Sequence, residues 1–155
     1  MARTPARIVA RVAVLALALL PTSRLSAQAS FGSEAQARTM LDRAVVAMKQ
    51  NKTKALEEFN KGENGFRDRD LYVFCADATT GIMTAHPSLK GQQLRDIKGK
   101  KGYPLGKEIM QHAAEGKIKE LTYWWPRPGT DKALRKHTFY TQVAGQNCGV
   151  GYYQN

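Results

Sequence analysis

The sequence predicts an α+β fold: a five-stranded antiparallel sheet with a long N-terminal helix and a second helix packed on it, the helices lying on one side. Three observations predict it. One apolar stripe with helical spacing runs through residues 33–50, an apolar segment at 71–76 is bounded by turn residues, and three strand-like segments separated by turns fill 118–153. The order is long helix, two strands, helix, three strands. At 155 residues, the chain has length for one domain and not comfortably two.

The first 29 residues read as an export signal and are set apart from the fold. Arg3, Arg7 and Arg11 form a positive start, Val12 to Leu20 is an uncharged apolar run, and Ala27-Gln28-Ala29 offers small residues around a cut after Ala29. A cut after Ala27 is the alternative, with Leu25 then a poor residue three places before the bond. The run is shorter than the ~20 residues a bilayer span needs. No cysteine follows it, which argues against a lipid anchor. The remaining 30–155 is read as the domain.

In 33–50, Leu41, Ala44, Val45 and Met48 fall on one helical face, with Glu34, Arg38, Asp42, Arg43 and Lys49 around the rest. Asn51-Lys52-Thr53 interrupts this helix, 54–59 resumes as a short helical turn, and Asn60, Gly62 and Gly65 stop it. Leu71 to Ala76 is apolar on both faces, as a central strand is. Residues 77–81 turn, and 82–85 return as a short partner strand. Residues 88–102 form a polar loop, and a loop near 15 residues is often functional. Tyr103-Pro104 opens the second helix, with Leu105, Ile109, Met110 and Ala113 on its apolar side and Gly116 at its end. Strands at 118–125, 135–143 and 148–153 follow.

Charge narrows the partners only loosely. Of the 24 basic residues, Arg3, Arg7, Arg11 and Arg24 lie in the leader; the remaining 20 against 13 acidic residues give +7. This favours anionic ligands or surfaces in general. The basic residues are scattered apart from 98–101, and an exported protein rarely meets nucleic acid, so none is expected as a partner.

Cys75 and Cys148 have two readings. In an oxidising compartment a disulfide is favoured, and a loop that long would gain roughly 4 kcal/mol by restricting the unfolded chain. The alternative is two buried free thiols. If the first and last strands pair at the centre of the sheet, the two cysteines lie side by side and a cross-strand bridge is allowed.

No arrangement in the chain has the form of a catalytic engine. There is no Gly-x-Ser-x-Gly, no His-Glu-x-x-His and no glycine-rich phosphate loop. No nucleophile has an evident base partner, so the chain is not expected to be an enzyme. His112 and Glu115, three apart on a helix, make only half a metal site. Asp68 and Asp70 lack the glycine and glutamate of a calcium loop, so neither metal nor cofactor is expected. His112 and His137 are read as surface residues, and Trp124 as facing away from Trp125 and exposed, which would hint at a partner surface.

The strand alternation favours a pocket instead. Tyr123 and Trp125 share one face of their strand, and Lys136 and Tyr140 share a face of the next. Where those faces coincide, two phenols, an indole and an ammonium line one cavity, suited to a small carboxylate. The bland alternative is ordinary core aromatics with a solvated Lys136. His86, before Pro87 at a strand end, is either a ligand donor or a turn histidine bonded to backbone carbonyls.

From about Ser33 to Tyr153 the chain resembles the single Cache domain, an extracytoplasmic sensing module with a PAS-like sheet. The resemblance rests on the order of Ala55-Leu56-Glu57-Glu58-Phe59-Asn60, Asp70-Leu71-Tyr72-Val73-Phe74, Ala85-His86-Pro87-x-Leu89-x-Gly91 and Trp125-Pro126-x-Pro128-Gly129. Lys136, Tyr140 and Gly149-Val150-Gly151-Tyr152-Tyr153 complete it. It implies the sensing half of a chemoreceptor or sensor kinase, with small organic acids such as short carboxylates as ligands. Together with the leader it implies a periplasmic location. Two departures stand out: no transmembrane helix or signalling domain follows the last strand, and Asn147-Cys148 stands where the family often has a tryptophan or another large apolar residue. The expected function is therefore a periplasmic binding module for a small organic anion, with His86, Tyr123, Trp125, Lys136 and Tyr140 as ligand residues, working with a separate signalling or transport partner, such as a membrane receptor or sensor kinase. The alternative is a structural or interaction module with a vestigial pocket, forming a homodimer through helix 33–50.

Overall fold

The computed structural model describes residues 31–154; the expected export signal and its expected cleavage site lie outside the described residues. Helix α1 (Glu34–Gln50) starts with a reciprocal cap, the Ser33 side chain accepting from the Gln36 amide and the Gln36 side chain accepting from the Ser33 amide. Its buried residues, Ala37, Met40, Leu41, Ala44 and Met48, form the predicted stripe, with Val45 at its flank. Asn51 ends α1 and caps the start of α2 (Lys52–Lys61) by accepting from the Lys54 amide. The expected short turn at 54–59 is thus a full helix. Gly62, at φ 72°, ends it in the left-handed conformation that a side chain disfavours.

Six strands form one sheet where five were expected: β1 (Arg67–Asp68), β2 (Leu71–Asp77), β3 (Met83–Ala85), β4 (Lys119–Pro126), β5 (Ala133–Val143) and β6 (Gln146–Tyr153). The additional strand, β1, is two residues long and carries no periodicity for a sequence to show. The order is β1-β2-β6-β5-β4, with β3 also pairing β2, and all these pairings are antiparallel. First and last long strands therefore meet at the centre, which is the condition for a cross-strand bridge. Cys75 and Cys148 are direct partners and form a disulfide, Cα–Cα 4.1 Å, closing a 73-residue separation.

The placement of helices differs from the one-sided expectation. Leu71, Val73 and Cys75 of β2 pack with Cys148, Val150 and Tyr152 against α1 and α2. Phe74 and Ala76, on the opposite face, pack with Leu121, Tyr123 and Tyr140 against α3 (Leu105–His112). This is why β2 is apolar on both faces: it sits between two cores. Each fully buried aliphatic or phenyl side chain contributes about 1.5–3 kcal/mol, so neither face tolerates a polar strand. The helix at 105–112 cannot join α1 because its apolar residues answer the second face. Gly106 lets it approach: a Cβ there would lie 1.5 Å from the Leu94 carbonyl oxygen.

Candidate functional site

The space between the sheet and α3 is a small chamber lined by Tyr72, His86, Tyr123 and Trp125 and by apolar side chains that include Phe74, Leu89, Leu94 and Ile97. The segment at 88–102, expected as a polar functional loop, forms its roof through Leu89, Leu94 and Ile97. The chamber holds about 20 Å³, little more than the roughly 10–15 Å³ that seats one water. In this conformation its own lining fills most of it. Leu89 and Ile97, half-buried on the roof loop, are walls that an arriving ligand must push aside.

Lys136 lies behind this chamber and is 1% exposed. Its ammonium donates to the Tyr72 hydroxyl at 2.9 Å and sits 4.2 Å from the Tyr72 ring centroid and 5.0 Å from that of Tyr153. Among the described residues it has no carboxylate within ion-pair distance. Burial lowers its pKa below the ordinary lysine value, opposed by Tyr123 and Asp70. The side chain reaches this place over β6. A Cβ at Gly151 would stand 2.4 Å from Lys136 Cε, so the stem occupies the room that glycine leaves.

Tyr72 connects the ammonium to the chamber. Burial is the largest influence on its hydroxyl and raises its pKa, while a hydrogen bond with the Trp125 side chain partly opposes this. An indole N–H can only donate. The Tyr72 oxygen therefore accepts from both Lys136 and Trp125, and its own proton stays available for a third group. Tyr123 uses its hydroxyl on Thr138, at 3.1 Å, and meets the Trp125 ring edge to face at 5.9 Å.

His86 has a defined tautomer. Its Nδ1 accepts from the Ser88 and Leu89 amides at 3.0 and 3.1 Å, so the ring proton of the neutral form is on Nε2. The turn contacts are to amides, not to the backbone carbonyls of the bland expectation. Burial, reinforced by the Lys136 and Arg67 charges, lowers its pKa to about 4. It is thus neutral at pH 7, and its free ring nitrogen is a donor. The polar groups still available at the chamber, Tyr72 O–H and His86 Nε2–H, are both donors, and a buried cation stands behind them. That set matches an anion.

Of the residues expected at the site, His86, Tyr123 and Trp125 line the chamber and Lys136 backs it through Tyr72. Tyr140 shares the same core cluster but does not line the chamber. It pairs with Lys119, whereas Lys136 pairs with Tyr123, and four residues along a strand span about 13 Å. Tyr72 takes the place of the second phenol. Strand alternation puts it on the face of Phe74 and Ala76, but a run apolar on both faces does not reveal which side carries a pocket.

The turn after Trp125 is held from below. Arg127 pairs with the buried Asp70 at 2.9 Å and lies over the Phe31 and Tyr153 rings, and the Tyr153 hydroxyl donates to the Pro126 carbonyl at 2.6 Å. Outside the site, His137 departs from the surface expectation: its ring stacks on Tyr152 at 5.3 Å and contacts Thr122 and Glu120. The alternation that puts Thr122 and Trp124 on one face sets His137, the partner of Thr122, beside Tyr152, its partner on β6. His112 pairs with Glu108 rather than Glu115. Trp124 is exposed as expected, with the Lys101 ammonium 3.7 Å from its ring centroid. Among the described residues no group of three metal-binding side chains occurs, and no helix is long and apolar enough to cross a membrane.

Solved structures share this fold. A methyl-accepting chemotaxis protein from Vibrio parahaemolyticus is similar at 23% identity, covering 77% of this chain and 86% of its own, with a TM-score of 0.62. A periplasmic sensor domain of a chemotaxis protein is similar at 23% identity and a TM-score of 0.57, covering 77% of this chain and 88% of its own. A Cache chemosensory domain, described for its recognition of carboxylic acid, is similar at 21% identity and a TM-score of 0.56, covering 78% and 88%. No curated protein sequence matches the chain. The family model for single Cache domain 2 matches residues 8–153, nearly the whole sequence. The chain belongs to the single Cache domain 2 family.

Proposed function

We propose that this protein is a sensing module that binds a small organic anion, a short carboxylate, in the chamber between the sheet and α3, and that it binds without catalysing a reaction. The observation that carries this reading is Lys136: a buried ammonium that has a phenol and aromatic faces for company and, among the described residues, no carboxylate within ion-pair distance. Leaving a charge so placed costs several kcal/mol unless something pairs with it. A carboxylate in the chamber would accept from Tyr72 and His86 and would favour the charged lysine that burial disfavours. Each charge-assisted bond in such a site contributes about 1.5–3 kcal/mol. The apolar roof suits a short aliphatic acid. A structurally similar Cache domain is described for carboxylic acid recognition, which supports the same ligand class here.

With the leader removed, the protein works in the periplasm and reports occupancy to a separate membrane receptor or sensor kinase. Thermal denaturation with acetate, propionate, pyruvate or lactate at millimolar concentration tests the binding. At least one acid should raise the melting temperature, and Lys136→Met should abolish the rise. No rise with any of them overturns the reading.

One observation favours the second reading, an interaction module with a vestigial pocket: the chamber's volume of about 20 Å³. That reading requires an assembly through α1, whose outer face carries the exposed Val46. A monomer by light scattering, with an acid-induced shift, removes it.

A further inference from the structure

Next to the chamber is a larger vestibule of about 330 Å³, and the two share Tyr72, His86 and Trp125 as a common wall. Its rim adds Arg67, Ser88 and Thr130, and no aspartate or glutamate is among its lining residues. Arg67 is the direct cross-strand partner of Tyr72, so the two side chains rise on the same face of the sheet. Arg67 is exposed and has no ion-pair partner among the described residues. Its charge is felt at both Tyr72 and His86. Arg127, the other guanidinium on the rim, is engaged with Asp70 and two aromatic rings.

Tyr72 thus stands between two cations. Lys136 holds its hydroxyl at the buried end, and Arg67 flanks its backbone at the open end. The chamber is too small for more than the head of a ligand, while the vestibule has room for the rest. We propose that the vestibule is a second anion subsite with Arg67 as its charge contact, so that the ligand is a small dicarboxylate: one carboxylate faces Tyr72 and His86, and the other reaches Arg67. This rests on the reading of the chamber as an acid site and adds a specificity residue to it.

Calorimetric titration of the protein with propionate, succinate and succinamate tests the proposal, succinamate matching succinate in length but lacking its second charge. Because Arg67 is solvent-exposed, its contact is worth about fivefold in affinity. Succinate should bind about that much tighter than succinamate or propionate, and the margin should shrink as salt rises. Arg67→Gln should erase the margin, weakening succinate more than propionate, while Arg67→Lys should restore part of it. Circular dichroism confirms that each variant is folded. Equal binding of succinate and succinamate, or a margin that persists in Arg67→Gln, overturns the subsite and spares the chamber. No binding of any of the three acids overturns both.

Discussion

The Lys136 ammonium on β5 donates to the Tyr72 hydroxyl on β2, at 2.9 Å, by passing over β6 where Gly151 leaves room. The consecutive strands β5 and β6 and the remote β2 thereby hold one cation at the base of a donor-lined chamber. Holding a charge there has a desolvation cost that an apolar side chain of similar length would not carry.

Replacing Lys136 with methionine separates function from stability. Methionine follows a similar path over Gly151 without a charge to desolvate. The variant should be unchanged or up to about 3 kcal/mol more stable in denaturant titration. It should also lose the melting shift given by acids. A large loss of stability would mean that the ammonium is a structural element.

Gly151→Ala perturbs the same feature without altering charge. The added Cβ would meet Lys136 Cε and Thr138 Oγ1, each at 2.4 Å. Overpacking of this kind costs about 1–3 kcal/mol. Urea unfolding should show that loss, and acid binding should weaken because the lysine stem is displaced. Unaltered binding in a folded variant would separate the lysine's position from recognition.

His86 makes stability depend on pH. Its folded-state pKa, about 4, lies below its ordinary 6.5. Between those values the unfolded chain takes up a proton that the native chain refuses, so stability falls as pH falls. The contribution is complete above pH 6.5, is lost progressively down to pH 4, and amounts to at most about 3 kcal/mol. Melting temperatures from pH 7.5 to 4 should fall less steeply for His86→Phe than for the natural protein; parallel curves would refute the assignment.

The Cys75–Cys148 bridge joins the two central strands inside the core beneath α1 and α2. Opening it by replacing both cysteines with alanine should cost about 2–5 kcal/mol. Guanidinium unfolding of the double variant measures this, and a change below 1 kcal/mol would show that the pairing of β2 with β6 suffices alone.

Much of this was legible in the sequence. The stripe of α1, the apolar run of β2 and the alternation of β4 and β5 are local patterns, and each appears where its periodicity placed it. Alternation also put Tyr123 and Trp125 on one face and Trp124 on the other. Two-residue β1 left no pattern, and the roof residues Leu89, Leu94 and Ile97 are isolated apolar positions in a polar stretch. The side of the sheet on which α3 packs, and Tyr72 as the link to Lys136, depend on contacts between segments far apart in the chain.

The amino-acid order alone determined where the long helix and the longer strands lie, which side chains share a strand face and that two cysteines could meet, because these follow from backbone periodicity and strand pairing. Only the folded chain decided that Lys136 is buried beside a phenol, that Tyr140 stands away from the chamber and that His86 holds its proton on Nε2. Burial and hydrogen-bond partners are properties of three-dimensional neighbours, and those neighbours come from β2, β5 and β6 together.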